Sequence, residues 1–209
     1  EKPPEQDGDK AAQQAQAMAK IREALERVRR LAERKDAQNR DLQRAPDDLD
    51  QPLAKALGDK QNDIRDGSAS IRKELSEIPD AAQASRDLEA AEREMTKGNQ
   101  ALDRRNLPVA RPHGARAHHM LLSATRSLEE AQRKQAAERI NQLAQAAQQL
   151  ANAESQAADA SARMGEGEKP GDEQVKGARE RQNTLKEMND QLGQAIERTA
   201  GEFEESFPK

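Results

Sequence analysis

Apolar residues recur along this chain at alternating steps of three and four, the spacing that draws a narrow stripe down one face of an α-helix. The first stripe is Met18, Ile21, Leu25, Val28 and Leu31 or Ala32, and it predicts a helix from about Ala11 to Arg44. The stripe fades at Lys35 and Asn39 and resumes at Leu42. Ala45-Pro46 ends the helix, because proline lacks an amide donor and restricts the residue before it. Asp47-Asp48-Leu49-Asp50 has the composition of a helix cap, with Pro52 tolerated in the first turn. A second helix over about Asp50–Glu77 then runs on Leu49, Leu53, Leu57, Ile64, Ile71, Leu75 and Ile78. Gly67 and Ser68 predict a bend in its middle. Pro79-Asp80 stops it and caps the next.

The third helix, about Asp80–Arg105, has the most regular register: Ala84, Leu88, Ala91, Met95, Gly98 and Leu102. Its small residues permit close approach of a partner helix. The short turn Arg105-Asn106-Leu107-Pro108 implies that the helices on either side pack antiparallel. The fourth helix, about Pro108–Met164, is the longest, and Pro112 and Gly114 predict an irregular start. Its register is Ala117, Leu121, Ala124, Leu128, Ala131 and Gln135, then shifts by one residue to Ala136, Ile140, Leu143, Ala147 and Leu150. The stretch 165–172, rich in Gly and with Pro170, reads as a linker. A fifth helix over about 173–200 follows, on Val175, Ala178, Gln182, Leu185, Met188 or Asn189, Leu192, Ile196 and Thr199. Residues 1–10 read as a disordered lead-in, and 201–209 as a frayed tail in which Phe203 could dock. The predicted divisions are therefore a lead-in at 1–10, a four-helix region at 11–164, a linker at 165–172, a helix at 173–200 and a tail.

A weak internal echo links Arg34-Lys35-Asp36, Lys60-Gln61-Asn62 and Arg181-Gln182-Asn183. It suggests that the first, second and fifth helices share seams carrying long polar residues at some core positions. Interruptions at Lys35, Asn39 and Gln135 favour an irregular antiparallel bundle over a regular two-stranded coiled coil.

Composition sharpens this picture. Charged residues make up 35% of the 209-residue chain, hydrophobic residues 33% and aromatics 1%, with two Phe and no Trp or Tyr. Such an inventory cannot fill a thick core. Net charge is only −4, and strong helix formers dominate, so long helices joined by thin seams are expected rather than disorder. The fold class expected is all-α: long antiparallel helices in an irregular, coiled-coil-like bundle with disordered ends. No run of about 18 apolar residues suggests a membrane span. Glu1 in place of Met, and no signal-peptide pattern in the first ten residues, read as a fragment or processed product whose anchor lies elsewhere.

Candidate chemistry is sparse. With no cysteine there is no disulfide, thiolate nucleophile or Cys-ligated metal. His113, His118 and His119 lack the three- or four-residue spacing of helix-borne zinc ligands. Arg104, Arg105, Arg111 and Arg116 form the only one-signed patch, but no aromatics accompany them, so a solvated rim is expected and nucleic acid is not. Asp47, Asp48 and Asp50 lack the remainder of a calcium loop. No catalytic residue, cofactor or metal is therefore assigned.

Four segments carry a resemblance: Leu31-Ala-Glu-Arg-Lys-Asp-Ala-Gln, Ser76-Glu-Ile-Pro-Asp-Ala, Leu88-Glu-Ala-Ala-Glu-Arg-Glu-Met and Ala101-Leu-Asp-Arg-Arg-Asn-Leu-Pro-Val-Ala. Over about Ala17–Gln135 the chain resembles the C-terminal helical region of a family of large bacterial, notably alphaproteobacterial, membrane proteins of unknown function. In that family the turn before the fourth helix usually reads Gly-Asp-Leu, where this chain has Arg105-Asn106-Leu107. The resemblance implies a membrane-tethered, extracytoplasmic segment and transfers no active site; a cytoplasmic placement is the alternative. The function expected is a non-catalytic scaffold or spacer that pairs with helices of the same or another envelope protein, a second copy included. The alternative is an adaptor that captures a partner's helix.

Overall fold

A computed structural model describes residues 5–165 and 171–206, with side chains described from 13 to 163 and from 171 to 201. The described residues form five α-helices: α1 (Glu5–Arg44), α2 (Gln51–Leu75), α3 (Ala82–Asp103), α4 (Leu107–Gly165) and α5 (Asp172–Ser206). A 3-10 turn, Pro79–Ala81, leads into α3. The protein is all-α.

Residues 1–135 form one compact unit and 136–209 a second. The sequence places its division at the Gly-rich stretch 165–172, but the units part inside α4, beside Gln135, where the apolar register slips by one residue. A one-residue slip along a helical sequence moves the apolar stripe by about 100°. The linker residues 166–170 lie outside the described residues; Gly165 ends α4 and Asp172 begins α5.

In the first unit the helices run up-down-up-down, as the cross-links between them require. Lys60 reaches Asp41 and Glu74 receives Arg27, so α1 and α2 are antiparallel. Gln61 bonds Met95 O while Arg72 pairs with Glu92, which sets α2 against α3 in the same sense. Asp87 receives Ser127, and Glu94 meets His113, so α4 returns along α3. Asn39 bonds Gly114 O and Arg29 pairs with Glu129, closing the ring between α4 and α1.

The main core joins all four helices through Ile21, Leu25 and Val28 of α1, Ile64, Ile71 and Leu75 of α2, Leu88 and Met95 of α3, and Leu121 and Leu128 of α4. A smaller core at the opposite end collects Leu42, Leu49, Leu57, Leu102 and Leu107. Leu53 is exposed; the Asp50 cap starts α2 so that Ala54, three residues before Leu57, takes the buried position. Asp50 accepts from Leu53 N at 2.8 Å, as its place before the helix predicts.

Several boundaries differ from the sequence reading. Helix α1 begins at Glu5, so residues 5–10 are helical; residues 1–4 lie outside the described residues. Helix α5 continues to Ser206, and the Phe203 side chain is outside the described set. The helical pattern runs through Gly67-Ser68, and the small residues serve close packing: a Cβ at Gly67 would stand 3.1 Å from Leu31 Cδ2, and Ser68 is buried. Pro112 and Gly114 likewise sit inside regular α4.

In the second unit Ala136, Leu150 and Thr199 are buried. Arg139 Nε donates to Thr199 Oγ1 at 3.3 Å. Leu143, Leu185 and Leu192 are half-buried, whereas Ile140, Met188 and Ile196 are 49%, 41% and 48% exposed. The seam positions Ile140 and Ile196 are therefore only about half covered, because two helices rich in Ala offer each other little surface.

Candidate functional site: the polar layer around Lys35

Between the two cores of the first unit lies a layer of polar side chains. Lys35 sits at its centre with no exposed surface. Its Nζ donates to Gln38 Oε1 at 2.6 Å and to Gln61 Oε1 at 2.5 Å. Gln38 Nε2 donates in turn to Leu57 O at 2.8 Å. Gln61 Nε2 reaches Met95 O at 2.6 Å and Asn99 Oδ1 at 2.9 Å. Asn99 Nδ2 closes on Asn62 Oδ1 at 2.6 Å. On the other flank Asn39 Nδ2 donates to Gly114 O at 3.2 Å.

Two glycines make room for these long side chains. A Cβ at Gly98 would stand 2.6 Å from Gln61 Nε2. A Cβ at Gly114 would stand 2.6 Å from Asn39 Oδ1 and 3.5 Å from Lys35 Nζ. Both helices therefore need glycine at the level of the layer, not for backbone freedom but for volume. Asn39 Oδ1 borders the Gly114 notch, buried and without a hydrogen-bond partner among the described residues.

Lys35 Nζ is met by neutral amides alone. Burial pulls its amine down to about 7 from the ordinary lysine value of 10.5. The sequence marks Lys35 and Asn39 as breaks in the α1 stripe, and the echo at Lys60-Gln61-Asn62 marks the facing segment of α2. The structure brings Lys35 and Gln61 together. Gln182 of the third echo, on α5, is exposed. Gln38, Asn99 and Gly114 were not legible as members, since their roles depend on which helices become neighbours.

Other chemistry-bearing groups are tied into the packing between helices. His113 Nδ1 lies 2.8 Å from Glu94 Oε2, a pairing across α3 and α4 that sequence spacing does not reveal. Lys97, then His113, hold the Glu94 carboxyl down to about 2. Asp87, largely buried, accepts from Ser123 at 3.2 Å, Ser127 at 2.9 Å and Gln83 at 3.0 Å. Of the basic patch, Arg111 is not a solvated rim. It caps the end of α1, donating to Leu42 O at 3.0 Å and Ala45 O at 3.1 Å, and pairs with Asp47 at 2.9 Å. Arg116 lies 3.5 Å from Glu94. Asp48 bridges to Asn106, so the two inter-helix turns are joined at one end of the unit.

No protein-family model, curated protein or solved structure matches the chain.

Proposed function

We propose that this chain is a non-catalytic helical scaffold or spacer, acting through helix–helix contacts, within a larger membrane-anchored bacterial envelope protein. The observation that carries the reading is the contrast between the two units. The first buries most of its stripe positions around two cores of its own, with Leu53 exposed, while the second leaves its stripe positions Ile140, Met188 and Ile196 about half exposed. A unit with its own cores suits a body that spaces, and an incompletely covered helix pair suits a surface that pairs. The serines, histidine and carboxylates described above are engaged in holding α3 against α4, which supports a structural role for them.

The membrane tether rests on the sequence resemblance over residues 17–135, and the reading places the anchor outside this segment. No helix among the described residues is long and apolar enough to cross a membrane. A second reading, capture of a partner's helix, draws on the open groove between residues 154–161 of α4 and 178–189 of α5. That groove is lined by Ala157, Ala158, Ala178 and Leu185 and edged by Glu154 and Arg181.

Size-exclusion chromatography with light scattering on the full chain tests the proposal. The scaffold reading expects a concentration-dependent oligomer that Met188→Glu with Ile196→Glu returns to monomer. A monomer whose helicity rises only when a partner is added would favour the adaptor. A well-folded monomer at all concentrations, unchanged by the double substitution, would contradict pairing through this face.

A further inference from the structure

We propose that the layer around Lys35 is a proton-linked latch in the four-helix unit, closed around the neutral amine and opened on its α1/α4 side when the amine takes up a proton. A neutral amine carries two N–H groups, an ammonium three. Two acceptors are in place on Nζ, Gln38 Oε1 and Gln61 Oε1. These satisfy both N–H groups of the neutral form. The third N–H of the ammonium has no partner in the closed layer.

One buried acceptor nearby is unused: Asn39 Oδ1, which borders the same Gly114 notch as Nζ. It makes no hydrogen bond to Nζ in the closed arrangement. Protonation therefore favours a rearrangement that brings Asn39 Oδ1, directly or through a water admitted at the notch, to the third N–H. That rearrangement strains the Asn39–Gly114 bond, which ties α1 to α4, and leaves the Gln61 bonds to α3 in place.

No charge on the surrounding helices offsets the proton. On α1, Asp36 pairs with Arg40, and Arg34 with Asp63 of α2. On α2, Lys60 pairs with Asp41. On α3, Glu94 is held by Lys97, His113 and Arg116. On α4, Arg111 is engaged with Asp47 and the end of α1, and His118 is half-buried one turn beyond Gly114. Burial alone sets the amine, which it lowers to about 7.

The sign follows from linkage. Below about pH 7 both folded and unfolded states carry the proton, and the folded unit bears the full penalty of a buried charge. As pH rises from there toward the ordinary lysine value of 10.5, the folded state has released its proton and the unfolded state has not. Stability therefore rises with pH through this window, about tenfold in the folding equilibrium constant per pH unit for one proton. The window is unusually clean, because the chain has no Cys and no Tyr to titrate in it. Its amino terminus contributes equally to wild type and to a Lys35 variant.

The test uses the full chain with 13Cε-labelled lysine. The Lys35 resonance is assigned by its loss in Lys35→Met, or through the backbone if that variant does not fold. The expected result is a Lys35 midpoint near pH 7, with amide exchange at 110–118 accelerated relative to 57–64 below that midpoint after correction for intrinsic rates. Urea unfolding between pH 7.5 and 9.5 should then show the tenfold-per-unit rise in wild type and lose it in Lys35→Met. A Lys35 midpoint in the ordinary lysine range overturns the proposal. So does a wild-type unfolding midpoint flat across that window, or a low midpoint with no selective opening at α4.

Discussion

Gly98 and Gln61 face each other so closely that a single added methyl group on Gly98 would stand 2.6 Å from Gln61 Nε2. That nitrogen is already committed to Met95 O and Asn99 Oδ1, so it cannot retreat without breaking the layer. Gly98→Ala gains about 1 kcal/mol in helix propensity but should still destabilise the first unit, by about 1–3 kcal/mol net. Gly193→Ala in α5, where nothing lies within 4 Å of the added carbon, should stabilise its helix. Thermal melts of the two variants should move in opposite directions.

The turn between α3 and α4 carries a second local conflict. Arg105 adopts φ of 57°, the left-handed region that disfavours side chains with a Cβ. The neighbouring Asn106 caps α4 by accepting from Val109 N at 3.3 Å, so the turn is held from both sides. Arg105→Gly should stabilise the unit by about 1 kcal/mol, offset in part by the greater freedom of glycine in the unfolded chain. Urea titration with an unchanged m-value would establish it.

Glu94 links α3 to α4 through His113 and contributes to the acid limb, as do Glu74 and Asp80, whose carboxyls are also held below their ordinary values. Its folded carboxyl sits at about 2, below its ordinary value of 4.5, held first by Lys97 and then by His113. A depressed acid stabilises the fold above its unfolded value and loses that contribution as pH falls through its folded one. The loss should therefore run from about pH 4.5 to 2. Because Lys97 is half exposed, screening reduces the contribution to about 1 kcal/mol. Glu94→Gln should be less stable than wild type at pH 6 and converge with it near pH 2. Added salt should narrow the gap at pH 6.

The two units should differ in amide protection. The first surrounds α2 and α3 with buried residues on every turn, whereas the second buries little beyond Ala136, Leu150 and Thr199. Hydrogen exchange should find the slowest amides in 61–75 and 84–102 and faster exchange throughout 140–163 and 175–200. Equal protection in both units would mean that the second is covered by something these contacts do not include.

Much of this was legible along the chain because helix period and proline punctuation act locally. Pro46, Pro79 and the turn at Arg105 mark the ends of α1, α2 and α3 to within a few residues. The register slip after Gln135 was visible too, but its meaning as the division between units was not. A glycine-rich stretch is a stronger local signal than a rotated stripe. Leu53 misleads because a stripe counted from Leu49 ignores where the Asp50 cap starts the helix. Gly114 looks like a weakness in isolation, and Gly98 reads only as a small residue that permits close approach. Only the approach of Asn39 and Gln61 from other helices turns them into required space. The polar layer was half legible: Lys35 and Gln61 stand out as interruptions, but the bonds that join them depend on packing.

The most direct test of the layer as one closed polar unit is a double-mutant cycle between Lys35 and Gln61. Lys35→Met leaves the Gln38 and Gln61 oxygens without their donor, and Gln61→Leu leaves the amine with one acceptor and Asn99 without its donor. Each single substitution should destabilise by about 2–4 kcal/mol, since each strands buried polar groups. The double variant replaces the pair with apolar side chains and should be more stable than the sum of the singles by more than about 1 kcal/mol. Additive effects within about 0.3 kcal/mol would show two independent side chains and contradict the account.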